Sequence, residues 1–300
     1  MSPQRSLLVQ VRFSQGRYHG AGIWPPSPAR LFQALVASAG PQQTLPHDVQ
    51  EALEWLEGLS PPIIHAPPAH RGQKVQLYVP HNDLDTQGGD PRNVESIRVG
   101  KIVEPHLFDS RLPISYLWTF AGNTTGEVNA DRICKIALGL FQLGRGLDPA
   151  WATTHILSVA EGMEMLRAAE GFLLRPAAPD MPGALHEQAT MLEAPVPGTL
   201  ESLMARYAAS AERFGVDKSQ KKPTATFSQP PRPLVVAVPY GSAHVRVLYE
   251  LRLPDADKGY VPWRLALAAD LVQRLRDAAM AKLARVFPDR RADIEHALLG

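Results

Sequence analysis

Cysteine is nearly absent from this chain of 300 residues, which contains only Cys134. A disulfide needs two cysteines, so no disulfide framework can form within the chain, and we expect a reducing, cytoplasmic setting. No basic-then-apolar leader is visible, and no apolar run approaches the roughly 20 residues that span a bilayer. The sequence therefore gives no indication of secretion or of membrane insertion.

Signatures of metal, nucleotide and hydrolase sites are also missing. The chain has no CxxC pair, no HExxH, no Walker loop, no dinucleotide fingerprint and no GxSxG elbow. The acidic residues Asp83, Asp85, Asp90 and Asp109 lack the glycine and the terminal glutamate of a calcium-binding loop. We therefore expect neither a metal ion nor a cofactor.

A surplus of positive charge is the third feature that is lacking. Lys and Arg number 31 against 30 Asp and Glu, while 45% of the residues are hydrophobic. A protein that binds nucleic acid through bulk electrostatics usually carries a larger surplus, so any such site must be a local groove. The hydrophobic fraction is sufficient for a sizeable core, and the length suits one large or two ordinary domains.

The pattern of apolar residues predicts an α+β protein. The 28 prolines, which are often paired, indicate that its elements are many and short. Strands are predicted over 6–13, 62–65, 74–79, 113–120, 153–159 and 170–175 and in the runs LVVAVP and HVRVLYELRL. Helices are predicted over 28–39, 47–58, 130–144, 198–214 and 262–287. A β-α-β-β-α-β arrangement is expected for the first domain.

The domain organisation is predicted from changes in composition. A first domain is expected over 1–214, with a polar insert at about 82–111, and it is followed by a basic, proline-rich linker over 215–233. Residues 234–300 are expected to begin a second domain on the same plan, which is left incomplete.

The segment from Arg12 to Leu35 concentrates groups that bind anionic, stackable ligands. These groups are Arg12, Arg17, Tyr18, His19, Trp24 and Arg30. Ser27 suits the N-cap of the following helix and Pro28 its first position. Phosphates bind guanidinium groups and bases stack on aromatic rings, so the segment predicts a nucleic-acid contact surface. The alternative is that the arginines are merely solvated and that Trp24 fills the core at the helix entry.

The polar insert carries a second set of cations. Arg92, Arg98, Lys101 and Arg111 are each expected to neutralise a phosphate, and the alternative is a mobile, solvated loop. Lys218, Lys221 and Lys222 in the linker are read as a solvent-exposed charge run.

Together these segments resemble a known protein family. GRYHG followed by WPPSPARLFQALVA, then YVPHND and a basic loop leading to PISYLW, resembles a subunit of type I-G (formerly type I-U) CRISPR systems. In that subunit a Cas-five-like domain is fused to a Cas-six-like domain. The resemblance covers about residues 6–250, and its specific part is WPPSPARLFQAL with the GRYH that precedes it.

The resemblance implies a fold, a ligand and partners. It implies a ferredoxin-like, RRM-like Cas-five domain with the insert as a thumb, followed by the start of a second ferredoxin-like domain. Such a subunit holds the 5′ repeat-derived handle of a CRISPR RNA and caps the backbone filament of a Cascade surveillance complex. The implied partners are the CRISPR RNA, the backbone subunit, the large subunit and target DNA near the PAM.

The resemblance also implies an activity that this chain is not expected to carry. Full-length family members have a Cas-six-like domain that cleaves repeat RNA without metal, and that domain continues beyond the point at which this chain ends. No cleavage residue of that domain can be carried onto residues 1–300. We therefore expect binding without catalysis.

Two other functions remain open from the sequence. In the first, the chain itself cleaves repeat RNA, with His19 as general base beside Tyr18 and with Arg17 stabilising the developing charge. In the second, the chain is a protein-interaction module that makes no contact with RNA.

Overall fold

The computed structural model describes residues 3–20, 23–40, 45–80, 98–177, 189–212, 214–217, 222–225, 232–242 and 264–286. The chain divides into two compact units, Met1–His244 and Val245–Gly300. In the second unit the described residues form a 3-10 turn, Leu265–Leu267, and one helix. None of the described helices is long and apolar enough to cross a bilayer.

The described elements combine helices and short strands, as expected for an α+β protein. The strands are β1 (Gln4–Phe13), β2 (Arg17–Tyr18), β3 (Ile63–Ala66), β4 (His70–Arg71), β5 (Val75–Pro80), β6 (Arg98–Val103), β7 (His106–Leu107), β8 (Ile114–Ala121), β9 (Ala150–Ser158), β10 (Phe172–Pro176), β11 (Thr190–Ala194), β12 (Phe214–Asp217), β13 (Lys222–Ala225) and β14 (Val236–Ser242). The helices are α1 (Pro28–Ser38), α2 (His47–Glu57), α3 (Thr124–Ala137), α4 (Val159–Ala168), α5 (Thr199–Glu212) and α6 (Ala268–Val286).

Seven strands form the central sheet of the first unit, in the order β11-β14-β10-β3-β8-β1-β9. Every pairing in this sheet is antiparallel. Helices α1 and α2 connect β1 to β3, and α3 connects β8 to β9. Smaller ribbons pair β2, β7 and β4, β5 with β6, and β12 with β13.

Strand β1 is buried on both faces because helices cover the sheet from both sides. Its odd-numbered residues from Leu7 to Phe13 belong to the main core cluster, together with apolar residues of α1, α2 and α3. Leu8 points to the other face and packs with Leu117 and with Leu166 of α4. Burying one such leucine contributes about 1.5–3 kcal/mol, so this strand is a major source of stability.

Helix α1 begins where the sequence predicts. The Ser27 side chain accepts a hydrogen bond from the Arg30 amide at 3.4 Å, and Pro28 occupies the first helical position. Leu31, Phe32 and Leu35 form the buried face of the helix. The predicted helix over 28–39 is therefore confirmed.

One predicted helix is corrected, and one helix was not predicted at all. The helix predicted over 130–144 begins earlier, because the Asn123 side chain caps the Gly126 amide at 2.8 Å, and it ends at Ala137. Helix α4 was not predicted, although a capping box between Ser158 and Glu161 marks its start.

Candidate nucleic-acid interface

A buried histidine–aspartate pair lies where the chain passes from β2 towards α1. The Nδ1 atom of His19 lies 2.6 Å from Oδ1 of Asp148, so the ring donates its Nδ1–H to the carboxylate. The His19 amide also donates to both carboxylate oxygens, at 3.0 and 3.1 Å. His19 is 7% exposed and Asp148 is fully buried. The carboxylate therefore fixes both the backbone and the ring of His19.

Asp148 is itself held by the connection between α3 and β9. Its Oδ2 atom accepts the Arg145 amide at 3.1 Å, its own amide donates to the Arg145 carbonyl at 2.9 Å, and the Leu143 amide donates to its carbonyl at 3.2 Å. The carboxylate is thus oriented before any ligand arrives. The outer nitrogen of His19, Nε2, makes no hydrogen bond to a described residue.

Tyr18 lies beside this pair with its ring inside the protein. It is 3% exposed, and its ring contacts Phe13 edge-on with centroids 5.8 Å apart. Burial raises the pKa of Tyr18 to about 12, while the charges of Arg30 and Arg145 oppose that increase. The hydroxyl therefore remains protonated at neutral pH, and the two guanidinium groups lie close enough to act on it.

Trp24 is half-buried and fills the entry to α1. Its ring stacks on His106 with centroids 5.7 Å apart and lies 4.6 Å from the ring of Phe108, and its indole N–H donates to the Pro67 carbonyl at 3.2 Å. Neighbouring side chains therefore occupy the faces of this ring. Both rings pack against neighbouring side chains, which is the alternative given for Trp24, and their stacking on bases stays a prediction.

The structure separates the three predicted arginines of the first segment. Arg12 and Phe13 lie on opposite faces of β1, so Arg12 lies away from the main core and pairs in register with Trp151. Arg17 is exposed on β2, on the face opposite to Tyr18. Only Arg30 lies near Tyr18. Among the described residues none of the three forms an ion pair.

The described cations of the insert differ in their surroundings. The Arg111 guanidinium binds Asp109 at 2.5–3.0 Å, and these hydrogen bonds lower the pKa of Asp109 to about 2. The charge of Arg111 is therefore already neutralised locally. Lys101 is exposed on β6. The Arg98 side chain and all of Arg92 lie outside the described residues, as do Asp83, Asp85 and Asp90.

Sequence reasoning missed the residues that complete the site. Asp148 and Arg145 belong to the run GRGLDP, and Phe141 precedes that run. The glycines in this region indicate a tight connection, and an aspartate before proline at the start of a strand is a turn signal. Neither signal identifies His19 as the partner, because the two residues are 129 positions apart.

The arrangement can bind an anion beside an oriented imidazole. The His19 ring is held by Asp148, and the adjacent Tyr18 hydroxyl is under the charges of Arg30 and Arg145 together with those of Asp148 and Glu193. Within the described part of the chain, no group of three or more histidine, cysteine or acidic side chains is placed to hold a metal ion. The chemistry that these groups offer is hydrogen bonding, positive charge and proton transfer.

Comparisons with known proteins point to one family. A family model described as CRISPR-associated protein, GSU0054 family (Cas_GSU0054), matches residues 1–234. A crystal structure of a CRISPR protein from Archaeoglobus fulgidus is similar at 10% identity and a TM-score of 0.30, over 79% of this chain and 85% of that one. A likeness of that degree supports no conclusion about fold or function. No curated protein matches the chain.

Proposed function

The chain belongs to the CRISPR-associated GSU0054 family, and on that premise we propose that it is the CRISPR RNA-binding subunit of a type I-G Cascade complex. It holds the 5′ repeat-derived handle and caps the backbone filament. The observation that carries this proposal is the pair of exposed cations, Arg30 and Arg145, beside the edge of Tyr18 and His19. Neither arginine forms an ion pair with a described residue, so both remain available to phosphates.

The order of strands supports a ferredoxin-like, RRM-like assignment. Part of the main sheet runs β9-β1-β8-β3, with helices between β1 and β3 and between β8 and β9. In chain order this is a β-α-β-β-α-β unit with its last strand next to its first. Strands β10, β14 and β11 extend that unit on the side of β3.

The β5–β6 ribbon is the proposed thumb. Tyr78 is 59% exposed and lies opposite Gly100, so no side chain on the facing strand covers its ring. Lys101 follows Gly100 and is exposed. Lys101 pairs with Leu77 and therefore lies on the face opposite to Tyr78, so the exposed ring is the part of this ribbon that suits a stacked base of a single-stranded RNA.

The remaining parts of the proposal follow from the resemblance. The backbone and large subunits of Cascade are the protein partners, target DNA near the PAM is a further partner, and the complex acts in the cytoplasm. Strand β14 belongs to the sheet of the first unit, so the Cas-five-like part is proposed to extend beyond the expected 1–214 to His244, and the Cas-six-like part to begin at Val245 and not at residue 234.

The experiment that tests RNA binding compares two charge removals. Arg30→Ala with Arg145→Ala should weaken filter binding of a single-stranded repeat-handle RNA. It should also lower the slope of log affinity against log salt by about 0.7 for each lost phosphate contact. Arg111→Ala is the matched control, because Asp109 already neutralises that exposed arginine. If the double variant and Arg111→Ala bind RNA equally well, the proposed surface is wrong.

The His19–Asp148 pair favours a second candidate function, the cleavage of repeat RNA by this chain. A carboxylate that accepts Nδ1–H orients the imidazole so that Nε2 can take a proton. In this reaction Nε2 removes the proton of a ribose 2′-hydroxyl, and the oxygen attacks the adjacent phosphorus. The P–O5′ bond breaks, the leaving oxygen takes a proton, and the products are a 2′,3′-cyclic phosphate and a 5′-hydroxyl.

Incubation of the protein with repeat RNA in EDTA separates the two functions. Cleavage would be established if the wild-type protein produces cyclic-phosphate ends and the His19→Gln variant does not, although the variant binds RNA with the same affinity. RNA that stays intact when bound in excess protein would restrict the chain to binding.

A further inference from the structure

A small cavity opens between one face of α1, from Arg30 to Ala37, and the connection from α3 to β9. Its volume is about 90 Å³. It is lined by Arg30, Gln33, Ala37, Phe141, Gln142 and Gly144, among others. A single water molecule needs roughly 10–15 Å³ of such space. The cavity is several times larger and therefore has room for a group the size of a base edge. No acidic side chain lines it.

Phe141 presents an exposed ring from a fixed backbone. The ring is 64% exposed, whereas Leu140 and Leu143 on either side are buried. The Phe141 carbonyl accepts the Ala150 amide at 3.0 Å, and Gln142 is bridged to Pro149. The ring is therefore held at the rim of the cavity without being part of the core, which is the arrangement a stacking platform requires.

Polar groups that match a nucleotide surround this ring. Nη1 of Arg30 donates to Oε1 of Gln33 at 3.2 Å, which leaves the Gln33 amide N–H groups and the remaining Arg30 donors free of described partners. Gln142 adds a second amide to the lining, and Arg145 follows Gly144 along the exposed connection. Amides read base edges by paired hydrogen bonds, while guanidinium groups bind phosphate.

We propose that this cavity binds one nucleotide of a single-stranded RNA. The base stacks on Phe141, its edge meets Gln33 and Gln142, and its phosphate binds Arg30 and Arg145. The inference rests on the proposed function and adds to it a subsite that selects a base. A protein partner fits less well, because the lining carries a cation and two amides and no acidic side chain.

The test uses the full chain and a series of handle RNAs, each with one abasic position. Wild-type protein should show one position at which loss of the base lowers affinity by about 5- to 150-fold, the range measured for stacking on an aromatic ring. Phe141→Ala should lose most of this discrimination, because the stacking ring is gone and only the contacts of Gln33 and Gln142 with the base edge remain. Phe141→Trp should keep the discrimination.

Leu138→Ala is the matched control, since it removes an apolar side chain that is 76% exposed on the same connection. It should retain the wild-type abasic profile. If Phe141→Ala also retains that profile while wild-type protein binds RNA, the nucleotide subsite is refuted and the proposed function stands. If wild-type protein binds no RNA, both fail. If Phe141→Ala loses a Cascade protein partner but keeps the abasic profile, the cavity serves protein contact and the inference is wrong.

Discussion

Gly144 is the residue on which the geometry of the candidate site depends most directly. Its φ is +111°, a conformation that side chains with a Cβ rarely adopt. An added Cβ would lie 2.7 Å from Cε2 of Tyr18 and 2.9 Å from Oδ2 of Asp148. The connection can therefore approach Tyr18 and Asp148 this closely only because this position has no side chain.

Gly144→Ala should lower the free energy of unfolding by about 1–3 kcal/mol, through backbone strain and contact with Tyr18 and Asp148. Gly146→Ala is the control, because nothing lies within 4 Å of its added Cβ. That change should stay within about 1 kcal/mol of wild type. Urea unfolding followed by circular dichroism measures both. Equal losses in the two variants would contradict the close approach.

His65 makes stability depend on pH. It is 2% exposed, and burial lowers its pKa from the usual value. The unfolded chain takes up a proton near pH 6.5 and the folded chain does so only at lower pH. The stabilisation is thus fully present above pH 6.5 and is lost as pH falls from there towards the folded pKa.

His65→Leu should therefore flatten the loss of stability between pH 7.5 and 5.5. The change in slope should reach at most about 1.4 kcal/mol per pH unit, the value for one proton. Part of the slope should remain, because burial also lowers the pKa of His106. Urea unfolding at both pH values measures the effect. Parallel slopes for the two proteins would exclude His65 as the source.

The residues of the first segment could be proposed as a site from the sequence, but the residues that they contact could not be predicted. Strand alternation alone places Arg12 and Phe13 on opposite faces of β1, so the separation of Arg12 from Tyr18 was available from the sequence. The burial of Tyr18 was not, because it arises from Phe108 and the distant connection at Gly144. Long-range packing decides whether an aromatic ring faces a ligand or the core.

Helix α1 could be predicted because several local signals agree there, whereas α4 was missed although a capping box marks its start. Helix α1 has a capping serine, an initial proline and a periodic apolar face, and the prediction differs from the structure by one residue at its end. The apolar run after Ala137 instead suggested more helix, although Leu140 and Leu143 are buried in irregular structure. Burial without periodic secondary structure leaves no local pattern to read.

The β5–β6 ribbon gives a prediction at the scale of an element. Tyr78→Ala should lower affinity for single-stranded handle RNA by a factor that corresponds to about 1–3 kcal/mol per stacked base. Stability should change little, because the ring is 59% exposed and its hydroxyl accepts only the Gln76 amide at 3.3 Å. Anisotropy with labelled RNA and urea unfolding measure the two quantities.

Val75→Ala is the matched control on the same ribbon. Val75 is 47% exposed and lies on the face opposite to Tyr78. If RNA stacks on the ribbon, only the tyrosine variant loses affinity. Similar losses in both variants would indicate a general effect on the ribbon and would remove Tyr78 from the proposed thumb.

At the scale of the whole molecule, the central sheet joins segments that are far apart in the sequence. Strand β1 pairs with β8 and β9, both more than 100 residues further along the chain, for instance Leu7 with Trp118 and with Ile156. Composition predicted an α+β protein and a β-α-β-β-α-β plan for its first part. Nothing local in the sequence indicated that β10, β14 and β11 extend the same sheet.

Strand β14 carries the last prediction, because it lies between β10 and β11 and pairs with both. Tyr240 on this strand is 1% exposed, and its hydroxyl donates to the Pro62 carbonyl at 3.0 Å. Removing β14 would leave two unpaired strand edges and a cavity in the core. A chain of residues 1–233 should therefore be less soluble than one of residues 1–244 and should lose cooperative unfolding.

Point variants of the full chain separate packing from hydrogen bonding at this strand. Tyr240→Ala should cost about 3–5 kcal/mol, as for other large buried rings, whereas Tyr240→Phe should cost only about 1 kcal/mol for the lost hydrogen bond. Urea unfolding measures both losses. Two results together would mean that the sheet is complete without β14. The chain of residues 1–233 would unfold cooperatively with the same free energy as the chain of residues 1–244, and Tyr240→Ala would lower the free energy of unfolding only slightly.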